Sequence, residues 1–416
     1  MRVFLSAGEP SGDHHAAVLV RELRSRDPSL EFIGLGGPQL EAAGCRLVAD
    51  MTHLAVMWFL RVITSIHRFV DLARQAERSF LDAKPDVCVL IDFPGFHWWL
   101  AWRAKRHGIP VIFYCPPQIW AWASWRIKKM RRLVDHVLSA LPFEHEWFLK
   151  QGMASTLVGH PFFDELQVTT GRPSSARLTD PQTRPPHVLL LPGSRGQEID
   201  ANLASILRAA ARLRAAVSDA RFTVAALHER HAARIRQVVA ADPEARRLGL
   251  RIVAGQAREL METADAAIAV SGSVSLELLA ARVPTVIIYR VGGFGYVLQS
   301  FLRRARFITL VNLLACREPI GRASPVLLPP RSVPPADPEA VFPEYLAVQD
   351  PAERVVAHVA EWLQDPAAIG RARARVAAVA ARVAQPGSAA RAASAVLAIA
   401  GGSAASVSLA GRRQAA

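Results

Sequence analysis

The sequence predicts an α/β protein made of two doubly wound domains with parallel sheets. Short apolar runs alternate with amphipathic helical stretches along most of the chain, which is typical of βαβ units. A Pro-rich segment at 169–186 without apolar periodicity interrupts this alternation, which then restarts. A length of 416 residues suits two or three domains, and the single interruption favours two. Because such sheets bind ligands outside the carboxyl ends of their strands, we expect a ligand cleft between the domains.

Bounded, β-rich apolar runs mark the strands, and a helical pattern at 13–26 follows the first of them. The C-terminal part of the chain is rich in Ala and Arg and predicts further helices. A second Pro-rich stretch, 322–343, predicts a surface loop. The predicted strands are 2–7, 31–35, 86–92, 110–114 and 136–141 in the first half, and 188–191, 222–227, 251–253, 266–270 and 285–289 in the second.

These patterns predict the following domain organisation. The first domain covers 1–168, the linker 169–186 and the second domain 187–345. Helices in 346–400 are expected to pack back towards the first domain, and 401–416 is expected to be a disordered tail.

The net charge, the cysteine spacing and the apolar runs exclude some classes of protein. The net charge of +14 and the pI of about 10.6 predict an anionic partner: nucleic acid, an acidic lipid surface or a phosphorylated substrate. The alternative is Arg spread over solvated helices. The four cysteines form no C-x-x-C pair, which argues against a zinc knuckle or redox dithiol and favours a reducing compartment. No apolar run is long enough to predict a spanning helix.

Two loops in the second half predict a nucleotide diphosphate site. Gly193, Ser194 and Arg195 follow a strand, where backbone amides and a guanidinium suit pyrophosphate oxygens. The second loop, Ser271-Gly272-Ser273, also lies between a strand and a helix, and Glu277 inside that helix could accept hydrogen bonds from ribose hydroxyls. Each loop alone could be an ordinary helix cap, but the pair favours a nucleotide.

Two features of the first half could carry chemistry. A glycine loop follows the first strand and contains Gly8, Glu9, Ser11, Gly12 and Asp13. Its glycines would let a ligand approach the backbone closely. The alternative is a tight turn in which Ser11 or Asp13 caps the following helix. Asp92 ends a buried apolar strand, where partial desolvation would raise its pKa and make it a better general base. The alternative for Asp92 is a loop cap.

A third feature predicts contact with a membrane. The apolar segment 54–70 is too interrupted to span a bilayer but suits an interfacial helix or an acyl-chain pocket; the alternative is core packing. The basic run 126–132 beside tryptophans could bind lipid headgroups or nucleic acid, or be a solvated helix face. The residues expected at the membrane are Val56, Trp58, Phe59, Ile63, Arg126, Lys128 and Lys129.

Taken in order, ten motifs closely resemble those of the lipid-A-disaccharide synthase family. They run from residue 7 to about 318, so the resemblance covers most of the chain. The motifs are AGEPSGD (7–13), GLGGPQLEAAG (34–44), LAVMW (54–58), KPDVCVLIDFPGF (84–96), PQIWAW (117–122), LPFE (141–144), VGHPFFD (158–164), LLPGSRGQEI (190–199), SGSVSLELL (271–279) and VNLLACRE (311–318).

The resemblance implies a GT-B fold and an inverting hexosyltransferase that needs neither metal nor cofactor. Its donor would be UDP-2,3-diacylglucosamine, its acceptor 2,3-diacylglucosamine 1-phosphate (lipid X), and its products the β-1,6 disaccharide 1-phosphate and UDP. The first domain would hold the acceptor and face the membrane, and the second would bind the donor. The enzyme would act in the cytoplasm, peripherally on the anionic inner membrane, without nucleic acid; a homodimer is left open.

The resemblance also implies roles for individual residues. Asp92 would be the catalytic base. The expected UDP contacts are Gly193, Ser194, Arg195, Ser271, Gly272, Ser273 and Glu277, and the expected acceptor contacts are Gly8, Glu9, Ser11, Gly12, Asp13 and Asn312.

The chain departs from the family pattern in places. Gly95 and His97 stand where Asp and Asn are expected, Ser273-Val274-Ser275 replaces a Thr-Ala-Ala-like run, and 322–343 looks like an insertion. The competing interpretations are another GT-B UDP-sugar glycosyltransferase or a UDP-sugar epimerase, which should lack the aromatic element at 54–70. A nucleic-acid-binding protein should lack both phosphate loops.

Overall fold

The computed structural model describes residues 1–51, 66–169, 184–321 and 326–402. It divides the chain into two compact units. The first unit is Met1–Val168 together with Gln385–Ala416, and the second is Thr169–Ala384. The predictions for 54–65, for most of the 169–186 linker and for nearly all of the 401–416 tail concern residues outside the described ranges.

The first unit contains a seven-stranded parallel sheet in the order β3-β2-β1-β4-β5-β6-β7. Its central strands are continuous apolar runs because helices cover both faces of a doubly wound sheet. The strand order reverses between β1 and β4, so their carboxyl ends form the switch point of this sheet. The strands are β1 Arg2–Ala7, β2 Glu31–Gly36, β3 Arg46–Asp50, β4 Val87–Ile91, β5 Val111–Tyr114, β6 His136–Ser139 and β7 Ser155–Leu157; the helices are α1 Pro10–Arg26, α2 Pro38–Ala42, α3 Ile66–Ala83, α4 Pro94–Arg106, α5 Ile119–Trp122, α6 Ile127–Leu133, α7 Pro142–Lys150 and α8 Phe162–Thr169, with a 3-10 turn at Ser124–Arg126.

The second unit repeats this plan with a six-stranded parallel sheet in the order β10-β9-β8-β11-β12-β13. Its switch point lies between β8 and β11. The strands are β8 His187–Leu191, β9 Arg221–Ala226, β10 Arg251–Ala254, β11 Ala266–Val270, β12 Thr285–Arg290 and β13 Glu344–Ala347; the helices are α9 Gly196–Ala216, α10 Glu229–Ala241, α11 Pro243–Arg247, α12 Ala257–Thr263, α13 Val274–Ala280, α14 Gly293–Leu302, α15 Leu310–Ala315, α16 Ala352–Gln364 and α17 Pro366–Val383.

The C-terminal helices divide between the two units. The sequence predicted that all helices in 346–400 pack towards the first domain, and for most of them this prediction is wrong. Helices α16 and α17 belong to the second unit, because the apolar face of α16 joins its core through Val355 and Val359. Only the last helix, α18 Ser388–Ala400, packs on the first unit, where Val396 is buried. The Asp164 carboxylate caps α18 by accepting hydrogen bonds from the amides of Gly387 (2.6 Å) and Ala389 (2.8 Å).

The predicted fold class is confirmed: both units are doubly wound α/β structures with parallel sheets. All ten predicted strands form, and their bounds differ from the prediction by at most two residues. The strands that the sequence did not reveal are β3, β7 and β13, which lie at sheet edges. Edge strands are partly exposed and so lack the continuous apolar run that marks a buried strand.

Candidate active site

A cavity of about 840 Å³ opens at the carboxyl ends of the strands of the second unit. It lies at the switch point between β8 and β11, the position where doubly wound sheets bind ligands. The loops after both strands line it, as do residues from β9, α12 and β12. All the residues predicted to contact UDP line this one cavity: Gly193, Ser194, Arg195, Ser271, Gly272, Ser273 and Glu277.

The loop after β8 is shaped by a glycine and a glutamate. Gly193 has φ of +126°, and a Cβ there would lie 2.6 Å from Cβ of Glu198, so this position requires glycine. The Glu198 carboxylate accepts hydrogen bonds from the amides of Ser194 (3.0 Å) and Arg195 (3.3 Å), which closes a capping box at the start of α9. Glu198 therefore engages two amides that the sequence analysis assigned to phosphate. The exposed Arg195 guanidinium remains the cation that this loop presents to the cavity.

The helices on either side of β11 place a second cation and a carboxylate on the cavity wall. Nε of Arg258, on α12, lies 3.7 Å from Oε2 of Glu277, on α13. The Ser275 hydroxyl is buried and donates to the carbonyl of Gly272, which fixes the turn into α13. The sequence analysis missed Arg258, because nothing in its local pattern distinguishes it from other helix-surface arginines.

In the first unit, Asp92 lies directly after β4, at the switch point of that sheet. Asp92 and Phe93 both adopt left-handed conformations, with φ of 54° and 46°. Two successive non-glycine residues in this region are strained, at a cost of about 1–2 kcal/mol each, so the turn must be held by its surroundings. Burial raises the pKa of the Asp92 carboxyl, although a hydrogen bond from the Phe93 amide acts in the opposite direction. The carboxyl is thus a stronger proton acceptor than an exposed aspartate.

The glycine loop after β1 packs directly on this turn. A Cβ at Gly8 would lie 2.3 Å from the Phe93 ring, so only glycine fits beneath that ring. A Cβ at Gly12 would lie 3.9 Å from Cβ of Asp92. The structure therefore brings the loop of residues 8–12 together with the candidate base, as neighbouring strand ends in a parallel sheet require.

A buried histidine braces the Asp92 turn. Nδ1 of His97 lies 2.6 Å from the carbonyl oxygen of Asp92, and Nε2 lies 2.9 Å from the Ser6 hydroxyl on β1. Burial lowers the pKa of His97 to about 3, so the imidazole is neutral at physiological pH. Because the carbonyl can only accept, Nδ1 carries the proton and the Ser6 hydroxyl donates to Nε2. His97 is one of the positions at which this chain departs from the family pattern.

Two residues predicted to contact the acceptor make buried hydrogen bonds that hold the fold together. The buried Asp13 carboxylate accepts hydrogen bonds from the amides of Gly37 (2.7 Å), Gln39 (3.0 Å) and Leu40 (3.2 Å), and so caps the start of α2. The sequence left open whether Asp13 contacts a ligand or caps a helix, and these bonds show that it caps one.

Asn312 is the second of the two, and it is buried in the second unit. Its amide nitrogen donates to the Phe342 carbonyl (2.8 Å) and to Glu344 (2.9 Å), and its oxygen accepts from the amides of Val341 and Phe342 (2.9 Å each). These bonds use the hydrogen-bonding capacity of the amide, so Asn312 ties α15 to the strand β13.

The sequence analysis missed a second carboxyl in the first unit whose pKa is raised by burial. Glu144, in the LPFE motif, accepts hydrogen bonds from Nε1 of the buried Trp120 (2.9 Å) and from the Ala140 amide (3.2 Å). Burial raises the pKa of Glu144 to about 7. Burial also raises the pKa of the Cys115 thiol, and the charges of Glu144 and Asp92 act in the same direction, so this cysteine stays protonated. Cys115 therefore lies within electrostatic reach of both carboxyls.

Four exposed tryptophans and a basic helix adjoin on the first unit; we call this the tryptophan face. Helix α4 packs against α6, and each carries part of the face. Lys128 and Lys129 on α6 are exposed, and Arg126 is half-buried with its guanidinium carbon 4.9 Å from the Trp122 ring centre. The sequence analysis predicted these three basic residues with tryptophans beside them, but it did not single out Trp99, Trp102 and Trp125. Its exposed tryptophans, within the part of the chain that the structure describes, are Trp99, Trp102, Trp122 and Trp125.

Neither a metal cluster nor a membrane span is found in the parts of the chain that the structure describes. Across residues 1–51, 66–169, 184–321 and 326–402, no three His, Cys, Asp or Glu side chains gather as a metal site requires. Over the same residues, every helix is too short or too polar to cross a bilayer.

Comparisons with known proteins agree with the motifs. A family model described as lipid-A-disaccharide synthetase matches residues 3–322. The lipid-A-disaccharide synthase of Geobacter sulfurreducens is 34% identical over 382 residues, covering 91% of this chain and 92% of that protein. The synthase of Syntrophus aciditrophicus is 33% identical over 89% of this chain and 95% of that protein.

Solved structures with low sequence identity share the fold. A UDP co-structure of MnaA from S. aureus has a TM-score of 0.58 and 12% identity and covers 96% of both chains. The kitacinnamycin glycotransferase has a TM-score of 0.51 and 16% identity and covers 95% of this chain and 97% of that chain.

Proposed function

The chain belongs to the lipid-A-disaccharide synthase family, and from that membership we propose the substrates and the residues of its reaction. Making this disaccharide is a glycosyl transfer, so the protein is a glycosyltransferase. The proposed donor is UDP-2,3-diacylglucosamine and the proposed acceptor is 2,3-diacylglucosamine 1-phosphate. The products are the β-1,6 disaccharide 1-phosphate and UDP.

The desolvated carboxyl of Asp92 at the end of β4 is the observation that carries the mechanism. The carboxylate removes the proton of the acceptor 6-hydroxyl as that oxygen attacks C1 of the donor sugar. The bond from C1 to the diphosphate breaks on the opposite side, and UDP leaves with the electron pair, so the anomeric centre inverts. A positioned base of this kind contributes about 10²–10⁴-fold in rate. The raised pKa of Asp92 supports this role, since it brings the carboxyl closer to the operating pH.

The cavity of the second unit is the proposed donor site. Arg195 would neutralise charge on the departing diphosphate, which stabilises the transition state electrostatically. Glu277, held on the cavity wall near Arg258, would accept hydrogen bonds from the ribose hydroxyls. In the first unit, the loop with Gly8, Glu9, Ser11 and Gly12 would contact the acceptor beside Asp92.

We further propose that the protein docks peripherally on the cytoplasmic side of an anionic inner membrane through the tryptophan face. Tryptophan prefers the boundary between headgroups and acyl chains, and each nearby Lys or Arg adds about 1 kcal/mol on anionic lipid. Replacing Trp99, Trp102 and Trp125 with serine should weaken binding to anionic vesicles while leaving UDP affinity unchanged. Unchanged vesicle binding by a folded variant would remove this face from the proposal. The segment 54–65, also predicted to contact the membrane, lies outside the described residues.

Product analysis tests the proposed function directly. The purified protein, given the acylated UDP-glucosamine and the acylated glucosamine 1-phosphate, should form the β-1,6 disaccharide and release one UDP per disaccharide. An epimerase would instead convert the donor sugar without consuming the acceptor. Failure to form disaccharide from these two substrates, with UDP still binding, would overturn the proposed substrates.

A further inference from the structure

Glu344, at the start of β13, gathers four hydrogen bonds on one carboxylate. Its Oε1 accepts a hydrogen bond from the Ile308 amide at 2.6 Å. Its Oε2 accepts from the amide and the hydroxyl of Thr309, at 3.0 and 2.8 Å, and from the side-chain amide of Asn312 at 2.9 Å. Thr309 and Asn312 are buried, so the bonds to Oε2 belong to the interior of the second unit.

These bonds connect two elements that line the proposed donor cavity. Ile308 lines the cavity, and so does Tyr289 near the end of β12. Glu344 pairs with Ile287 on β12, two residues before Tyr289. The carboxylate therefore links the strand that carries Tyr289 to the loop that carries Ile308.

A charged carboxylate is the group that suits this position. Burial raises the pKa of the Glu344 carboxyl, and the four hydrogen bonds act against that rise. An ionised carboxylate accepts all four bonds, whereas the amide of a glutamine has one accepting oxygen and one NH₂ group. Because Oε2 accepts three bonds and Oε1 one, the oxygen of a glutamine here would take the place of Oε2. Its NH₂ group would then face the N–H of Ile308, which leaves that amide without an acceptor.

We propose that Glu344 is a positioning residue for binding of the donor substrate: through the Ile308 amide, it holds the Ile308 side chain on the wall of the cavity. This inference rests on the proposed function, in which the cavity binds the UDP-sugar. Without its acceptor the Ile308 amide no longer favours this position, and UDP then binds only the fraction of molecules in which the wall is in place. The loss of one such buried hydrogen bond corresponds to about 5- to 100-fold weaker binding.

Glu344→Gln tests this inference, because it keeps the size of the side chain and removes the acceptor at Ile308. By calorimetry on the full-length protein, UDP should bind about 5- to 100-fold more weakly. The KM for the donor substrate should rise. The kcat at saturating donor substrate and the KM for the acceptor substrate should stay close to those of the original protein. A merely structural role would not separate the two substrates in this way.

Two matched variants separate positioning from a loss of stability. Thr309→Val removes a hydrogen bond to Oε2 and leaves the bond from the Ile308 amide in place. Asp265→Asn changes a buried carboxylate of the same unit that accepts from the His187 amide at 2.9 Å. Asp265 directly precedes β11, at the opposite end of the sheet from the cavity. Both variants should lower the free energy of unfolding and leave the UDP affinity of the folded protein unchanged.

The outcomes separate this inference from the proposed function. Unchanged UDP affinity in folded Glu344→Gln, or equal weakening in all three variants, overturns the inference. If Glu344→Gln does not fold, Ile308→Ala should weaken UDP binding, and unchanged affinity in that variant overturns the inference instead. If the original protein does not bind UDP, the proposed donor site fails and the inference with it. If UDP binds but no disaccharide forms, the proposed substrates fail, and the UDP affinities of the variants still decide the inference.

Discussion

Replacing Glu144 with glutamine should remove a large pH dependence from the stability of the first unit. Burial raises the pKa of this carboxyl from 4.5 to about 7 in the folded protein. The folded state therefore holds the proton more tightly than the unfolded chain does. The stability that the protonated side chain contributes is complete below the unfolded pKa of 4.5 and is lost as the pH rises through about 7.

The size of the effect follows from the two pKa values. Each pKa unit corresponds to about 1.4 kcal/mol, so holding Glu144 as a buried carboxylate above pH 7 costs on the order of 3 kcal/mol. Glutamine keeps an oxygen that can accept the Trp120 hydrogen bond but has no charge to desolvate. Relative to the original protein, the variant should therefore gain on the order of 3 kcal/mol between about pH 4 and pH 8.

Tryptophan fluorescence during denaturant unfolding at a series of pH values measures this difference. Eight of the nine tryptophans lie within residues 1–168, so the signal reports mainly on the first unit. The control is Glu146→Gln, on the same helix but with an exposed side chain, which should show no such pH-dependent gain. A flat difference for Glu144→Gln between these pH values would refute the claim that burial raises its pKa.

Three further predictions concern the reaction. His97→Asn keeps an N–H donor near the Asp92 carbonyl and should retain most turnover. His97→Gln, whose amide extends towards Ser6, should lower kcat about 10- to 100-fold at unchanged UDP affinity. Equal kcat in the two variants would contradict the bracing role of His97. Arg195→Ala should weaken UDP binding about tenfold or more by calorimetry, and Arg234→Ala, which removes an exposed arginine outside the cavity, should not. EDTA should leave turnover unchanged because the guanidinium carries the diphosphate charge; loss of activity that Mg²⁺ restores would refute this.

Local sequence pattern was sufficient where one element determines the position of a residue. Asp92 ends an apolar run, and an apolar run of that length is a buried strand whose end lies at the ligand edge of the sheet. The same logic placed Arg195 and the Ser271–Ser273 loop on one cavity, because the strands before them, β8 and β11, are neighbours at a switch point.

Roles that depend on distant parts of the chain could not be read from the sequence. Asp13 caps amides 24 to 27 residues further on, and Asn312 bonds a backbone about 30 residues away, so neither partner is visible in a local motif. Glu144 reads as an ordinary residue at a helix start, and only tertiary packing buries it beneath Trp120. The position of α16 in the second unit likewise depends on which core its apolar face meets.

The most direct test of the account is the turnover and UDP affinity of Asp92→Asn, measured on the same preparation. Asparagine preserves the size of the side chain but cannot remove the proton from the 6-hydroxyl of the acceptor substrate. We predict that disaccharide formation falls by about 10²–10⁴-fold while the dissociation constant for UDP stays the same, because the donor cavity belongs to the other unit. Turnover close to that of the original protein would show that Asp92 is not the catalytic base.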